Sequence, residues 1–333
     1  MRRLLRLILL ALVAGTAVPA TTASAAPMPA ATPSPQRFGV RLVDVPVDEA
    51  HNPRALRYII DYLPTGSVIH RRILVQSDES SRARFTVYPD AAKISHGYFV
   101  GDVGHTRSEL TRWIHVAHAR VRLRAGHSTM DMITIRVPRG ATRGEHYGVI
   151  WVQQTARART ARGFAIREIN RVGIRVYLAV GRGGAPPTNF TISDIAGHRS
   201  AQSRQVLTAE VDNTGGRAVD LSGTARLTGG PGGTSAGPFP VHRIITLAPG
   251  QSYPVAFIMP RRLPSGPWQA TVTLTSGLTR HSASATILFG SRLTASVWRR
   301  PTGMAVLAVL ILGIGALIVV GVRRARAPRR AAA

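Results

Sequence analysis

In the stretch RVGIRVYLAV, Val172, Ile174, Val176, Leu178 and Val180 alternate with Arg171, Arg175 and Tyr177. A period of two puts successive side chains on opposite faces, which only an extended strand with one buried face satisfies. The rhythm recurs in HARVRLR, where Ala119, Val121 and Leu123 alternate with Arg120, Arg122 and Arg124, and again in MITIRVP and RQVLTAEV. Gly- and Pro-containing turns separate the runs. Apolar residues at helical spacing are not sustained between residues 38 and 290; SELTRWIHV (108–116) suits one or two helical turns. The expected fold is therefore all-β.

The pattern also occurs twice. VRLRAGHSTMDMITIRVPRGATRGEHYGVIWV and ITLAPGQSYPVAFIMPRRLPSGPWQATVTL both run strand, Ala-Gly or Pro-Gly turn, strand ending in Val-Pro or Met-Pro, a Gly, an aromatic and a closing strand. Pro138 to Gly144 and Pro260 to Gly266 have the same spacing. Upstream, SVIHRRILVQSDESSRARFTVYP matches QVLTAEVDNTGGRAVDLSGTARL, each read as a strand, a polar hairpin and a strand. Short strands repeated at this spacing imply two immunoglobulin-like β-sandwich domains in tandem, 38–180 and 190–290, with GRGGAPPTN (181–189) as the linker.

The chain ends carry different signals. Residues 1–25 have Arg2, Arg3 and Arg6, an apolar run and the small residues Ala23, Ser24 and Ala25, the pattern of a secretory signal peptide. A Pro-rich spacer follows at 26–37. After a juxtamembrane stretch at 291–302, residues 303–322 hold no charge and are long enough for one C-terminal transmembrane helix. The tail at 323–333, RRARAPRRAAA, is basic and expected in the cytoplasm. This layout predicts a single-pass protein of the cell membrane with its N-terminal domains extracellular.

With no cysteine, disulfides cannot hold an exported chain together, so each domain must rely on buried apolar area. The net charge of +27 calls for anionic surroundings or an anionic partner. Its densest expressions are the one-sided ladder Arg120, Arg122, Arg124 and the loop carrying Arg157, Arg159 and Arg162. Like charges along one strand face cost stability unless solvated or met by anions, and arginine forks suit oxyanions. Export argues against nucleic acid as the anion.

Residues 38–180 resemble the Gram-positive WxL-interacting surface proteins. The resemblance rests on Phe38-Gly39-Val40, Tyr58 ahead of Pro64-Thr65-Gly66, Val75-Gln76-Ser77, Ala91-Ala92, Gly97-Tyr98-Phe99, Trp113-Ile114, Val121 to Gly126, Val137-Pro138 leading to Gly144, and Tyr147-Gly148-Val149-Ile150. It implies a peptidoglycan-binding N-terminal module, a second β-sandwich and a C-terminal membrane span, without catalysis. No WxL tripeptide surrounds Trp113, Trp151, Trp268 or Trp298.

Signatures of catalysis are weak. VPRGATRGEHYGVIWV crowds Arg139, Arg143, Glu145, His146 and Tyr147 together, but its second copy lacks the Glu and the His, so it reads as a turn feeding a core strand with Arg139, Arg143, Glu145 and His146 on the rim. His115 and His118 stand three apart, a helical spacing that a strand splits between faces. GGPGGTSAGP (229–238) lacks the lysine of a phosphate loop and reads as a hairpin loop. No catalytic residue, metal or cofactor is expected. The partners expected are peptidoglycan or an anionic cell-wall polymer, other surface proteins, and the membrane through one helix. The alternatives are a surface enzyme remodelling the wall and a membrane subunit of a surface assembly.

Overall fold

The computed structural model describes residues 37–155, 159–161, 164–166, 168–200, 204–259 and 263–289. The first part of the chain forms β1 (Phe38–Leu42), β2 (Ile59–Leu63), β3 (Val68–Ser77), β4 (Ala83–Ser95), β5 (Tyr98–Gly101), α1 (Glu109–Trp113), β6 (Ile114–Val116), β7 (Arg120–Leu123), β8 (Ser128–Arg136), β9 (Gly144–Thr155), β10 (Arg159–Ala161), β11 (Phe164–Ile166) and β12 (Ile169–Val180). The second part forms β13 (Thr191–Arg199), β14 (Gln205–Asp212), β15 (Val219–Gly230), β16 (Thr234–Pro240), β17 (Ile245–Leu247), β18 (Ser252–Ile258), β19 (Pro267–Ser276) and β20 (Thr279–Leu288).

The protein is all-β and built as two sandwiches. In the first, a sheet in the order β1-β3-β8-β6 faces a sheet in the order β2-β12-β9-β4-β5, with β7 also on β4. In the second, β13-β14-β18 faces β16-β15-β19-β20, with β17 also on β15. The alternation at 171–180 explains how the first closes: Ile174, Val176, Leu178 and Val180 enter one core with Ile73, Val75, Ile133, Ile135, Ile150 and Val152. The second core gathers Leu207, Val211, Leu227, Phe257, Trp268 and Val272. Among the described residues, pairing is antiparallel except between β2 and β12.

The sequence repeat is realised strand by strand. β1, β3, β4, β5, β7, β8, β9 and β12 take the sheet positions of β13 to β20 in order. Ala125-Gly126 and Pro249-Gly250 occupy the same turn: Gly126 and Gly250 have φ of 69° and 74°, and each turn closes with a backbone bond, His127 N to Arg124 O at 3.2 Å and Gln251 N to Ala248 O at 3.0 Å. The connections differ from expectation. β3 and β4, like β14 and β15, do not pair as hairpins but lie in opposite sheets, as do β7 and β8. Alternation marks which face of a strand is apolar; apolar faces meet across the core as readily as side by side.

Within β9, Ile150 and Val152 enter the core, whereas Trp151 lies on the outer face with Nε1 donating to Asp102 O at 2.8 Å. Gly173 on β12 makes room for it: a Cβ there would stand 2.6 Å from the Trp151 ring. The expected helical turn is α1, closed by a capping box in which Ser108 accepts from Thr111 N at 3.2 Å.

The two sandwiches meet over a small apolar cluster of Ile60, Ile94, Tyr177 and Ala218, flanked by Tyr58, Phe99, Tyr147 and Ala248. Asp220 of β15 sits at its edge and collects Arg54 Nε at 2.7 Å, Arg175 Nη1 at 3.2 Å, Tyr177 Oη at 3.2 Å and Thr246 Oγ1 at 2.6 Å. Glu49 pairs with Arg217 at 2.9 Å, and Glu145 accepts from Ala218 N at 2.7 Å and Tyr147 Oη at 2.8 Å. The expectation that Glu145 is a rim residue is thus corrected. Burial pushes its carboxyl above the usual carboxylate range.

The expected signal peptide (1–25), all of the spacer but Arg37, and the segments 291–302, 303–322 and 323–333 lie outside the described residues. Among the described residues no helix is long and apolar enough to cross a membrane. The fold is therefore stated without the C-terminal membrane helix.

Candidate anion-binding face

The ladder predicted from HARVRLR is real. β7 buries Val121 and Leu123 in the first core and leaves Arg120 and Arg122 exposed, with Arg124 exposed just beyond its end. Its placement adds what the sequence did not show. β7 pairs with the first four residues of β4, so Arg122 stands directly opposite Arg84 and Arg120 opposite Thr86. Across β4 the same rows continue onto β9 and β12: Thr86 faces Gln153, which faces Arg171, while Arg84 lies one step beyond, at the level of Thr155. Cross-strand partners share a face, so Arg84, Arg120, Arg122 and Arg171 lie on one outer surface with no carboxylate in their rows.

These charges are unmatched. Among the described residues, Arg84, Arg120, Arg122 and Arg124 make no ion pair, while the arginines that do, such as Arg54, Arg71, Arg72, Arg175 and Arg217, lie elsewhere. Arg171 is held in place by Tyr88 Oη at 3.1 Å and Gln153 Oε1 at 2.7 Å, both neutral acceptors. Asp131 on β8 is only 2% exposed, and its Oδ1 is taken by the backbone N–H groups of His118 and Met132 and by His118 Nδ1 at 3.0 Å. Glu79 accepts from Gln154 Nε2 at 3.3 Å.

Two depressions flank β7. One, of about 430 Å³, opens along its outer edge between Arg120, Arg122, Arg124 and the start of β8 at Ser128–Met130. The other, of about 310 Å³, lies on the outer face between Arg84, Thr86, Arg120, Arg122, Gln153 and Thr155. Arg120 and Arg122 line both. A pair of guanidiniums on opposed strands, with Cβ atoms roughly 5 Å apart in such a pair, can grip one oxyanion from two sides.

The remaining expected site residues are not brought to this face by any described contact. Arg159 lies on β10, which pairs with β11 in a separate two-stranded sheet, while Arg157 and Arg162 lie outside the described residues. Arg84 and Arg171 were missed by sequence reasoning. Their signal was the alternation in β4 and β12, but it names a face without naming the neighbour across it.

The histidines do not converge. His115 is exposed on β6, His118 caps Asp131, and His146 lies 4.9 Å from the Trp113 ring and bonds Thr142 O at 2.9 Å, pointing away from Glu145 as strand neighbours must. Among the described residues no group of three or more His, Cys, Asp or Glu side chains is placed to hold a metal.

No protein-family model matches the chain, and no curated protein matches it. Solved structures that match include the YadV chaperone (9% identity, 75% of this chain and all of that one covered, TM-score 0.39). The Salmonella enterica SafA pilin in complex with the SafB chaperone also matches (11% identity, 76% and 98% covered, TM-score 0.39). So does the Pseudomonas aeruginosa CupB2 chaperone (10% identity, 70% and 97% covered, TM-score 0.37). No family model supports the resemblance of residues 38–180 to WxL-interacting surface proteins, and the structures that match are named as chaperones, so that expectation is corrected. Peptidoglycan or anionic wall polymer as ligand and other surface proteins as partners are corrected with it, and neither alternative, wall enzyme or assembly subunit, fits better. The expected placement in the cell membrane is corrected because no helix among the described residues is long and apolar enough to cross a membrane.

Proposed function

We propose that the chain is a non-catalytic binding protein of two immunoglobulin-like sandwiches, 38–180 and 190–290 joined through 181–189, whose first sandwich takes an oxyanion-bearing ligand on the face of Arg84, Arg120, Arg122 and Arg124. The observation that carries this reading is the Arg84–Arg122 pair. Like charges directly opposite each other on a sheet are destabilising, and these two have no acid to offset them. A bound anion removes that cost. The non-catalytic part is supported by where the buried acids are spent: Asp220 and Glu145 on the joint between the sandwiches, and Asp61 on Arg71.

Inorganic polyphosphate is the probe, added to the full chain. Replacing Arg84, Arg120 and Arg122 together by Ser is expected to weaken binding at least tenfold, with the melting temperature kept or raised. The control replaces the exposed Arg226 and Arg280 of the second sandwich with Ser, and is expected to change affinity less than twofold. Equal losses in the two variants would mean a diffuse charge effect and no site.

A further inference from the structure

The outer edge of β7 has no second neighbour among the described residues. Which of its backbone groups are free follows from the register. Val87 N donates to Ala119 O at 3.0 Å, and these two residues are directly opposite each other one step beyond the Thr86–Arg120 pair. Bonded and non-bonded pairs alternate along an antiparallel ladder, so Phe85–Val121 is bonded whereas Thr86–Arg120 and Arg84–Arg122 are not. The N–H and C=O groups of Arg120 and Arg122 therefore point outward, along the 430 Å³ depression.

The second sandwich shows what this edge does when occupied. Aligning the Ala125-Gly126 and Pro249-Gly250 turns places Arg122 at Thr246 and, through the pairing of each strand, Arg84 at Asp220. Thr246 N points outward from β17 and donates to Gly97 O of the first sandwich at 2.8 Å. Beside it, the Asp220 carboxylate is met by Arg54 and Arg175 of the first sandwich. An edge backbone bond and a carboxylate–arginine contact thus dock one sandwich on the other. At the equivalent positions of the first sandwich the backbone is open and the carboxylate is replaced by arginine.

We infer that the β7 edge and its outer face form a docking surface for an extended acidic segment of a partner polypeptide, which adds as a strand beside Arg120 and Arg122 and presents carboxylates to Arg84, Arg122 and Arg124. The inference rests on the anion-binding reading and narrows it to one ligand class. Strand addition supplies affinity through main-chain bonds, and alternate side chains supply the match. A second copy of this chain is the poorer occupant, because its net charge of +27 opposes the approach.

The test uses the full chain and an end-capped, labelled decapeptide of alternating Glu and Thr, read by fluorescence anisotropy beside polyphosphate. The same peptide with every backbone nitrogen methylated keeps its charge and loses its donors; it is expected to bind at least tenfold more weakly. Arg122→Ser and Arg122→Pro both remove the guanidinium, but only the proline removes the outward N–H, so peptide affinity is expected to fall severalfold further in Arg122→Pro while polyphosphate affinity is the same in both. Peptide binding that ignores methylation and treats the two variants alike would overturn strand addition and leave the anion reading standing. Polyphosphate binding that ignores Arg84, Arg120 and Arg122 would overturn both. Arg122-dependent self-association in ultracentrifugation, without peptide binding, would assign the edge to a second copy and overturn the inference as well.

Discussion

At the scale of single residues, the same residue types carry different chemistry according to what faces them. Arg54 is buried against Asp220 with its Cζ 4.9 Å over the Tyr177 ring, whereas Arg122 is exposed opposite another arginine. The cross-strand repulsion gives a prediction: Arg84→Ser stabilises the protein by up to about 1 kcal/mol at low salt, and the gain fades as salt screens the pair. Urea titrations at two ionic strengths check it; a variant less stable than the parent at low salt would refute it. Glu145 gives a second. Its folded-state carboxyl is raised by burial, so the folded state holds a proton that the unfolded state has already lost at pH values just above the ordinary glutamate range. Stability attributable to this group is present below that pH and lost as pH rises through the raised value. Glu145→Gln, which keeps an acceptor for Ala218 N and Tyr147 Oη, should flatten that part of the stability–pH curve. An unchanged slope would show that Glu145 is ionised in the folded protein.

At the scale of elements, outer sheet surfaces are organised by glycine as much as by side chains. Gly173 and Gly101 both leave space for Trp151, and a Cβ at Gly101 would stand 2.9 Å from that ring. Gly173→Ala is expected to push the indole off its bond to Asp102 O, shift tryptophan emission and cost about 1–3 kcal/mol, the usual range for overpacking. Unaltered emission and stability would mean the indole relaxes freely. Element assignment is also where the sequence was most and least legible. Val121 and Leu123 inward with Arg120 and Arg122 outward was readable, because the period of two is imposed by local geometry. That β3 and β4 lie in different sheets was not, because identical local patterns serve a hairpin and a crossover. Arg84 stayed hidden for the same reason: its meaning comes from Arg122, 38 positions away and adjacent only through the β4–β7 register.

At the scale of the whole molecule, Asp220 gathers more of the bonds at the joint between the sandwiches than Glu49 or Glu145 does. Asp220→Ala would leave buried Arg54 without its counter-charge, and breaking a buried pair this way costs about 3–5 kcal/mol. The expected result is uncoupling of the sandwiches, seen as two calorimetric transitions where the parent shows one. A single transition at the parent temperature would show that the apolar cluster and the Glu49 and Glu145 contacts hold the joint without Asp220. The linker is held too: Gly215 N and Gly216 N donate to Asn189 O and Pro187 O at 3.0 and 2.9 Å.

From the sequence alone came the all-β class, the twofold repeat and the strand faces, because alternation, turn glycines and their spacing are properties of neighbouring residues. A resemblance carried by turn and core positions did not yield the ligand, since such positions specify a sandwich and not what it binds. The pairing of Arg84 with Arg122, the open edge of β7 and the burial of Glu145 were decided by tertiary structure. Each depends on strands far apart in sequence meeting in a register that the two packed cores set together.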